Sequence, residues 1–468
     1  MEQFEADVCV VGAGFAGLAA ARYLQAQDRT VVVLEARDRV GGRVWGKTLE
    51  DGTAVSVGGT WLGRDQARMF DLVGRVGLGV YPQFDDGDIV LRLHGENSRY
   101  QGLMPDLGWW GLLWLGIAVE RLGEIAQTVP RDRPWEAPEA AELDATTVGA
   151  WLSSRWNVPS ENARLMLETG LGMLFCADLS TVSLLGSMVL ARGGGRDGFQ
   201  YFMDSGITET HLIDGGGSPE VARRLGVALG DSLRTSAPVR RIEHYDGHVD
   251  VIADGVRVRA EHVIVTAPPV LAGQIAYDPP LPDAYGQLMR QMPAGPLVRV
   301  ITVYETPFWR EKGLSGQTSA PQSPVPVSID QSPPSPTTGA PPPRGVLSSY
   351  AHGSAALELM RMDADARREL WLGELALRLG DEATDPIAYN ETDWSAEPWS
   401  LGGMISHFPP GVLTAYGPVL HEPYGRISWA GTERATEMHG LMEGAVRSGE
   451  LAAQAVVRRL DASTGAAV

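Results

Sequence analysis

The residues Gly12-Ala-Gly14-Phe-Ala-Gly17 constrain this chain more than any other stretch. They follow an apolar run, Asp7-Val-Cys-Val-Val11, that reads as a buried parallel strand. They open a stretch to Gln27 with alanines and leucines at helical spacing, and a second apolar run, Arg29 to Leu34, comes next. In this strand–helix–strand context the three glycines are a dinucleotide-binding fingerprint. Gly12 permits the tight turn, Gly14 lets the backbone approach a pyrophosphate, and Gly17 lets helix and strand pack closely. The free N–H groups at the helix start favour phosphate charge. Glu35 closes the second strand, where a carboxylate accepts from ribose hydroxyls and disfavours a 2′-phosphate.

The continuation, Ala36-Arg37-Asp-Arg-Val-Gly41-Gly42-Arg43, places two more glycines and an arginine near that site. A second backbone approach to the same pyrophosphate fits it, with Arg43 as charge partner; a glycine-rich loop with a solvated arginine is the plainer alternative. Such a continuation is typical of FAD proteins rather than NAD dehydrogenases. Near the other terminus, Trp429-Ala-Gly431-Thr432-Glu433 ends a buried strand and Gly440-Leu441-Met442-Glu-Gly-Ala445 opens a long helix. A helix start aimed at a flavin would stabilise the negative charge of its reduced form. The same residues also serve as a strand–loop–helix closing the sheet.

At ~150 residues per domain, 468 residues suit about three domains or two large ones. The net charge of −19 makes DNA, RNA and anionic lipid poor partners. Only Cys9 and Cys176 are present, so neither a disulfide framework nor a cysteine-rich metal site is expected, and no metal is assigned. That suits a reducing cytoplasm. The acidic start, Met1 to Asp7, is unlike a signal peptide. The greasiest stretch, Leu107 to Val119, is too short to span a bilayer. It reads as a buried or half-buried helix, or as one lining an apolar entrance. Thr318 to Arg344, rich in Pro, Ser and Thr, reads either as a flexible linker or as a loop carrying a short surface strand. Val249–Ile252, Val256–Val258 and His262–Thr266 read as three strands, and Ala355–Leu379 as one amphipathic helical region.

These stretches together resemble the flavin-containing amine oxidases, nearest the monoamine oxidases within them. The markers are the two glycine motifs, Val57-Gly58-Gly59-Thr60-Trp61, Pro279-Pro-Leu-Pro282, Pro307-Phe-Trp309, Phe408-Pro-Pro-Gly411, Ala430-Gly-Thr-Glu433 and Met442-Glu-Gly-Ala445. The resemblance implies an α/β fold: a discontinuous Rossmann-type FAD domain (1–80, 210–285 and 392–468) with an inserted α+β substrate domain (81–209 and 286–391). It implies that Gly58, Gly59 and Thr60, with Val239 on the adenine side and Trp394 on the flavin side, contact FAD. The implied chemistry is hydride transfer from the carbon beside an amine nitrogen to flavin N5, with O2 as acceptor, giving an imine and H2O2. A homodimer is compatible with the family.

Three departures from the family pattern carry the specific expectations. The position of the family's flavin-linking cysteine is Gly403, so FAD is expected to be noncovalent. The two aromatic positions that sandwich the amine are Met404 and Leu441, so the substrate is expected to be an amine or amino-acid derivative other than a simple arylalkylamine. The flavin-facing lysine is Arg299, and Lys47 and Lys312 are the only lysines in the chain. Arg299 stays charged and is no base; as a fixed cation it stabilises reduced flavin or a superoxide-like intermediate, or forks onto a substrate carboxylate, or else it is a structural ion pair. His439 is a candidate acid, base or substrate anchor, or else a helix cap. Trp61, Cys176, Tyr201 and Thr208 are candidate cavity-lining residues, with Met404, His439 and Leu441. Two other readings stay open: a dehydrogenase or desaturase of the same fold acting on a bulkier intermediate, and a flavin-bound protein without amine oxidation.

Overall fold

The computed structural model describes residues 1–194, 210–334 and 343–465, and two large sheets organise them. The first strand, Glu2–Val11, is longer than its apolar run. It pairs in parallel, residue for residue, with Val256–Val265, from Glu2 beside Val256 to Val11 beside Val265. The two short runs Val256–Val258 and His262–Thr266 are therefore one continuous strand, because a single partner spans them. Val31–Leu34 lies parallel on the other edge of the first strand, and all four of its residues are buried. Across the sheet the order is 276–278, 239–244, 249–253, 256–265, 2–11, 31–34 and 233–234, with 427–429 parallel to the end of 256–265. Strands 2–11, 31–34 and 256–265 thus end at one edge, the edge that binds ligands in sheets of this kind.

The first helix, Phe15–Ala26, packs against the final helix, Met442–Gly465. Glycine permits both close approaches here: a β-carbon on Gly17 would lie 1.9 Å from the carbonyl oxygen of Gly12, and one on Gly449 would lie 2.0 Å from that of Ala16.

The second sheet runs 388–393, 297–304, 345–352, 327–330, 314–319, 88–93 and 96–100. All eight residues of its strand Leu297–Tyr304 are buried, because both faces are covered. Val298, Val300 and Tyr304 face helical residues such as Trp371. Ile301 and Val303 face Val55 and Val57, and Arg299 shares their face by strand alternation.

Val327–Asp330 is a strand inside this sheet and Val325 is fully buried, so that part of 318–344 is neither a linker nor a surface loop. Ala355–Leu379 divides into helices Gly353–Arg361 and Ala364–Leu379, because the Asp363 side chain accepts from the backbone N–H groups of Asp365 and Ala366 and starts a new helix. The helix grown from the greasy stretch, Gly108–Thr128, is not buried at its start: Trp109 is 74% exposed. Among the described residues, no helix is long and apolar enough to cross a membrane.

Candidate active site

A cavity of about 460 Å³ begins at the carboxyl edge of the first sheet and runs beneath the second. At the first end it is lined by Gly12, Gly14, Glu35, Ala36, Arg37, Gly42 and Val239. Gly12 holds φ +100° and Gly42 holds φ +59°, conformations that L side chains rarely adopt. The helix that follows Gly14 has no side-chain cap and no acid in its first turn, so its amide dipoles stay available to an anion. Glu35 is buried, with one carboxylate oxygen accepting from Ala13 N–H at 2.7 Å and the other from Arg37 N–H at 2.9 Å. Those bonds fix its rotamer and leave lone pairs for hydroxyl donors. Arg37 is held by Glu397 and by Ser400 Oγ at 2.9 Å. Gly17 does not line the cavity; it is the packing contact described above.

Arg43 lines the middle of the cavity but its guanidinium is already occupied. It forks onto Glu433, Nη1 to Oε1 at 2.5 Å and Nη2 to Oε2 at 3.0 Å, and Nη1 also donates to the Met404 carbonyl at 2.9 Å. Glu433 accepts from Ser406 N–H as well. Burial alone would raise the Glu433 pKa, but the charge and hydrogen bonds of Arg43 outweigh it and hold the carboxyl at about 2. This fork ties the Gly41-Gly42 loop to the Gly431–Glu433 turn and pins Met404, which sits at φ +27°. Gly58, Gly59, Thr60, Gly431, Thr432 and Met442 line the same stretch.

The far end lies beneath the second sheet, among Trp61, Leu297, Arg299, Tyr350, Trp394, Gly403, Met404 and Leu441. Trp394 donates its indole N–H to the Val57 carbonyl at 3.0 Å. Trp61 Nε1 has no partner among the described residues, a donor left for a ligand.

Arg299 is 2% exposed, and its hydrogen-bond partners are all neutral. Nε donates to Ser348 Oγ at 2.8 Å, Nη1 to the Gly58 carbonyl and to Thr60 Oγ1 (3.0 Å), and Nη2 to Gln331 Oε1 at 2.8 Å. Trp61 and Tyr350 stand at 5.1 and 5.2 Å from its guanidinium carbon. Arg299 is therefore no structural ion pair: no carboxylate among the described residues pairs with it. Nor does it offer a two-point fork, since four of its five N–H groups are engaged. Burial lowers its pKa, as it must for a cation without a counter-ion, yet arginine keeps its charge.

Two candidates lie elsewhere. His439 is buried, stacked on Phe408 with ring centroids 6.3 Å apart, and bonded to the Ala435 backbone. It does not line the cavity, because Gly440 (φ +82°) reverses the chain between it and Leu441. Burial lowers its pKa to about 4, so the ring is neutral near pH 7. Cys176 is fully buried in a small cluster with Leu297, Tyr350 and Trp394, behind the wall rather than on it, and burial pushes its thiol pKa up. Tyr201 and Thr208 lie outside the described residues. Lys47 is held by Asn390 and Thr392 over the Trp45 ring, and neither lysine lines the cavity.

Tyr350 and Gln331 were not legible as site residues, since no motif marks them. The available signal was strand pairing: Tyr350 is the direct cross-strand neighbour of Arg299.

Comparison with known proteins agrees with this geometry. The family model for flavin-containing amine oxidoreductases matches residues 15–457. A putrescine oxidase of Kocuria rosea is 35% identical over 467 residues, covering 97% of this chain and 95% of its own. An L-amino acid dehydrogenase of Synechocystis is 33% identical over 463 residues, covering 96% and 94%. The solved structure of a cyclohexylamine oxidase from Brevibacterium oxydans matches with a TM-score of 0.90 at 31% identity, over 97% of this chain and 99% of that one.

Proposed function

This chain belongs to the flavin-containing amine oxidoreductases, and we propose that within them it is an oxidase with noncovalent FAD, acting on an amine whose remaining part is neutral or anionic. FAD held here would supply the two-electron acceptor for the hydride from the carbon beside the amine nitrogen; that hydride and one nitrogen proton account for the two electrons and two protons that convert O2 to H2O2, leaving the imine.

The roles we assign follow from the described geometry. Gly12, Gly14 and Gly42, with the first helix start, take the pyrophosphate, and Glu35 takes a ribose. Gly58 to Thr60, Trp394, Thr432 and Met442 enclose the flavin. Trp61, Met404, Leu441 and Tyr350 shape the amine end, which has no pair of facing rings at positions 404 and 441. Arg299 acts as a fixed cation. Its charge and the desolvation in this pocket both disfavour an ammonium, so both push the bound amine toward the neutral form whose lone pair assists hydride loss.

The observation that carries the substrate reading is the charge distribution. Among the described residues lining the cavity, the charged ones are Glu35, Arg37, Arg43, Arg240 and Arg299. Glu35 and Arg43 are committed elsewhere, and Arg299 alone stands at the amine end. A second ammonium on the substrate would meet a buried cation and, among the described residues, no carboxylate. The test is an anaerobic titration of the holoenzyme with monoamines, amino acids and diamines. Bleaching by monoamines or amino acids supports the reading; preferential bleaching by diamines refutes it.

A further inference from the structure

A second, smaller cavity of about 120 Å³ ends on the reverse side of the wall that carries Arg299. Its mouth is exposed at Ala54, Gly216 and Pro334. Val55, Ile213 and Val346 make a buried apolar side, Thr53, Ser56, Tyr81 and Asp214 a polar one, and Thr60 and Gln331 a polar floor. Thr60 lines both cavities. Gln331 bridges the partition, donating from Nε2 to the Ser56 carbonyl at 3.3 Å and accepting from Arg299 Nη2 at 2.8 Å. The two cavities are therefore separated by single side chains, and the far side of that partition is the amine end of the large one.

We propose that this smaller cavity is a separate entrance for dioxygen. The proposal rests on O2 being the acceptor. The volume of about 120 Å³ holds several water-sized molecules and so has ample room for a diatomic gas. The apolar side of Val55, Ile213 and Val346 suits an apolar diatomic gas, and the passage ends beside a buried cation without a counter-ion among the described residues, which favours the negative charge an oxygen molecule gains as it is reduced. A second entrance also lets the acceptor arrive while product still fills the amine end.

The test places a large side chain at the mouth, on an exposed residue that does not line the large cavity. In Ala54→Trp, reoxidation of the amine-reduced holoenzyme by O2 slows several-fold, while anaerobic reduction by the amine is unchanged; Ala54→Ser behaves as the parent. Crystals under xenon pressure show a xenon site between Val55, Ile213 and Val346 that Ala54→Trp abolishes. Reoxidation of Ala54→Trp at the parental rate with no xenon site overturns the entrance, as does equal slowing of both half-reactions. Parental reduced enzyme that O2 does not reoxidise at all overturns the acceptor reading, and the entrance with it.

Discussion

Gly403 faces Leu297 so closely that a β-carbon on it would lie 2.2 Å from Leu297 Cδ2 and 2.5 Å from its Cβ. The position where the family places its flavin-linking cysteine thus has no room for a side chain unless Leu297 shifts. Gly403→Cys is expected to lower stability by about 1–3 kcal/mol through overpacking and to leave the flavin noncovalent. Acid precipitation checks it: FAD stays in the supernatant for both proteins. A paired Leu297→Ala change restores part of the stability, measured by denaturant melts.

The Arg43–Glu433 fork spans the middle of the cavity. Glu433 is 2% exposed and Arg43 is partly solvated, so losing the carboxylate leaves a half-buried cation to find other partners. Glu433→Gln keeps the shape and is expected to cost roughly 1–3 kcal/mol and to weaken FAD retention on dilution. Ultrafiltration of the holoenzyme reads the second effect. Unchanged stability and retention would show that the fork is incidental.

In the role proposed for it, the charge on Arg299 favours the neutral form of the bound amine. Removing a nearby cation raises an ammonium's pKa. In Arg299→Gln the pH profile for flavin reduction, which rises as the amine loses its proton, therefore moves to higher pH. Arg299→Lys keeps the charge and keeps the midpoint, although it loses hydrogen bonds to Ser348 and Gln331. A midpoint that is the same in all three proteins would sink this role, whatever happens to the rate.

Three buried histidines link stability to acid. His262, His407 and His439 are each 6% exposed or less, and burial lowers each from 6.5 to about 4. Below pH 6.5 the unfolded chain takes up protons that the native protein refuses, so stability falls from there toward pH 4, by about 1.4 kcal/mol per pH unit for each histidine. Denaturant melts at pH 7 and pH 5 check the total, and His439→Gln lessens the difference between them.

The nucleotide end was legible because its signals are local: three glycines, two flanking strands and Glu35 lie within one short stretch, and their order alone implies the turn. The position of Arg299 was legible through its spacing from Pro307-Phe-Trp309. Its environment was not, since Gln331 and Ser348 come from 32 and 49 positions further along the chain. His439 failed for a different reason. Counting residues placed it two before Leu441, but with the left-handed turn at Gly440 between them Leu441 lines the cavity while His439 packs on Phe408, and only backbone geometry reveals that. The short strand at Val327–Asp330 was legible from its apolar alternation, but its place inside the sheet rather than on the surface was not, because it depends on pairing with residues 347–350 further along the chain.

The central claim is that this cavity holds FAD and oxidises an amine with O2. The most direct measurement mixes the holoenzyme anaerobically with a panel of monoamines, diamines and amino acids, follows the visible flavin band, then admits air and assays peroxide. The account predicts that a monoamine or amino acid bleaches the band, that air restores it, and that peroxide appears in step with its recovery. A flavin that no amine bleaches, or one that is bleached but restored by a dye and not by air, would contradict it.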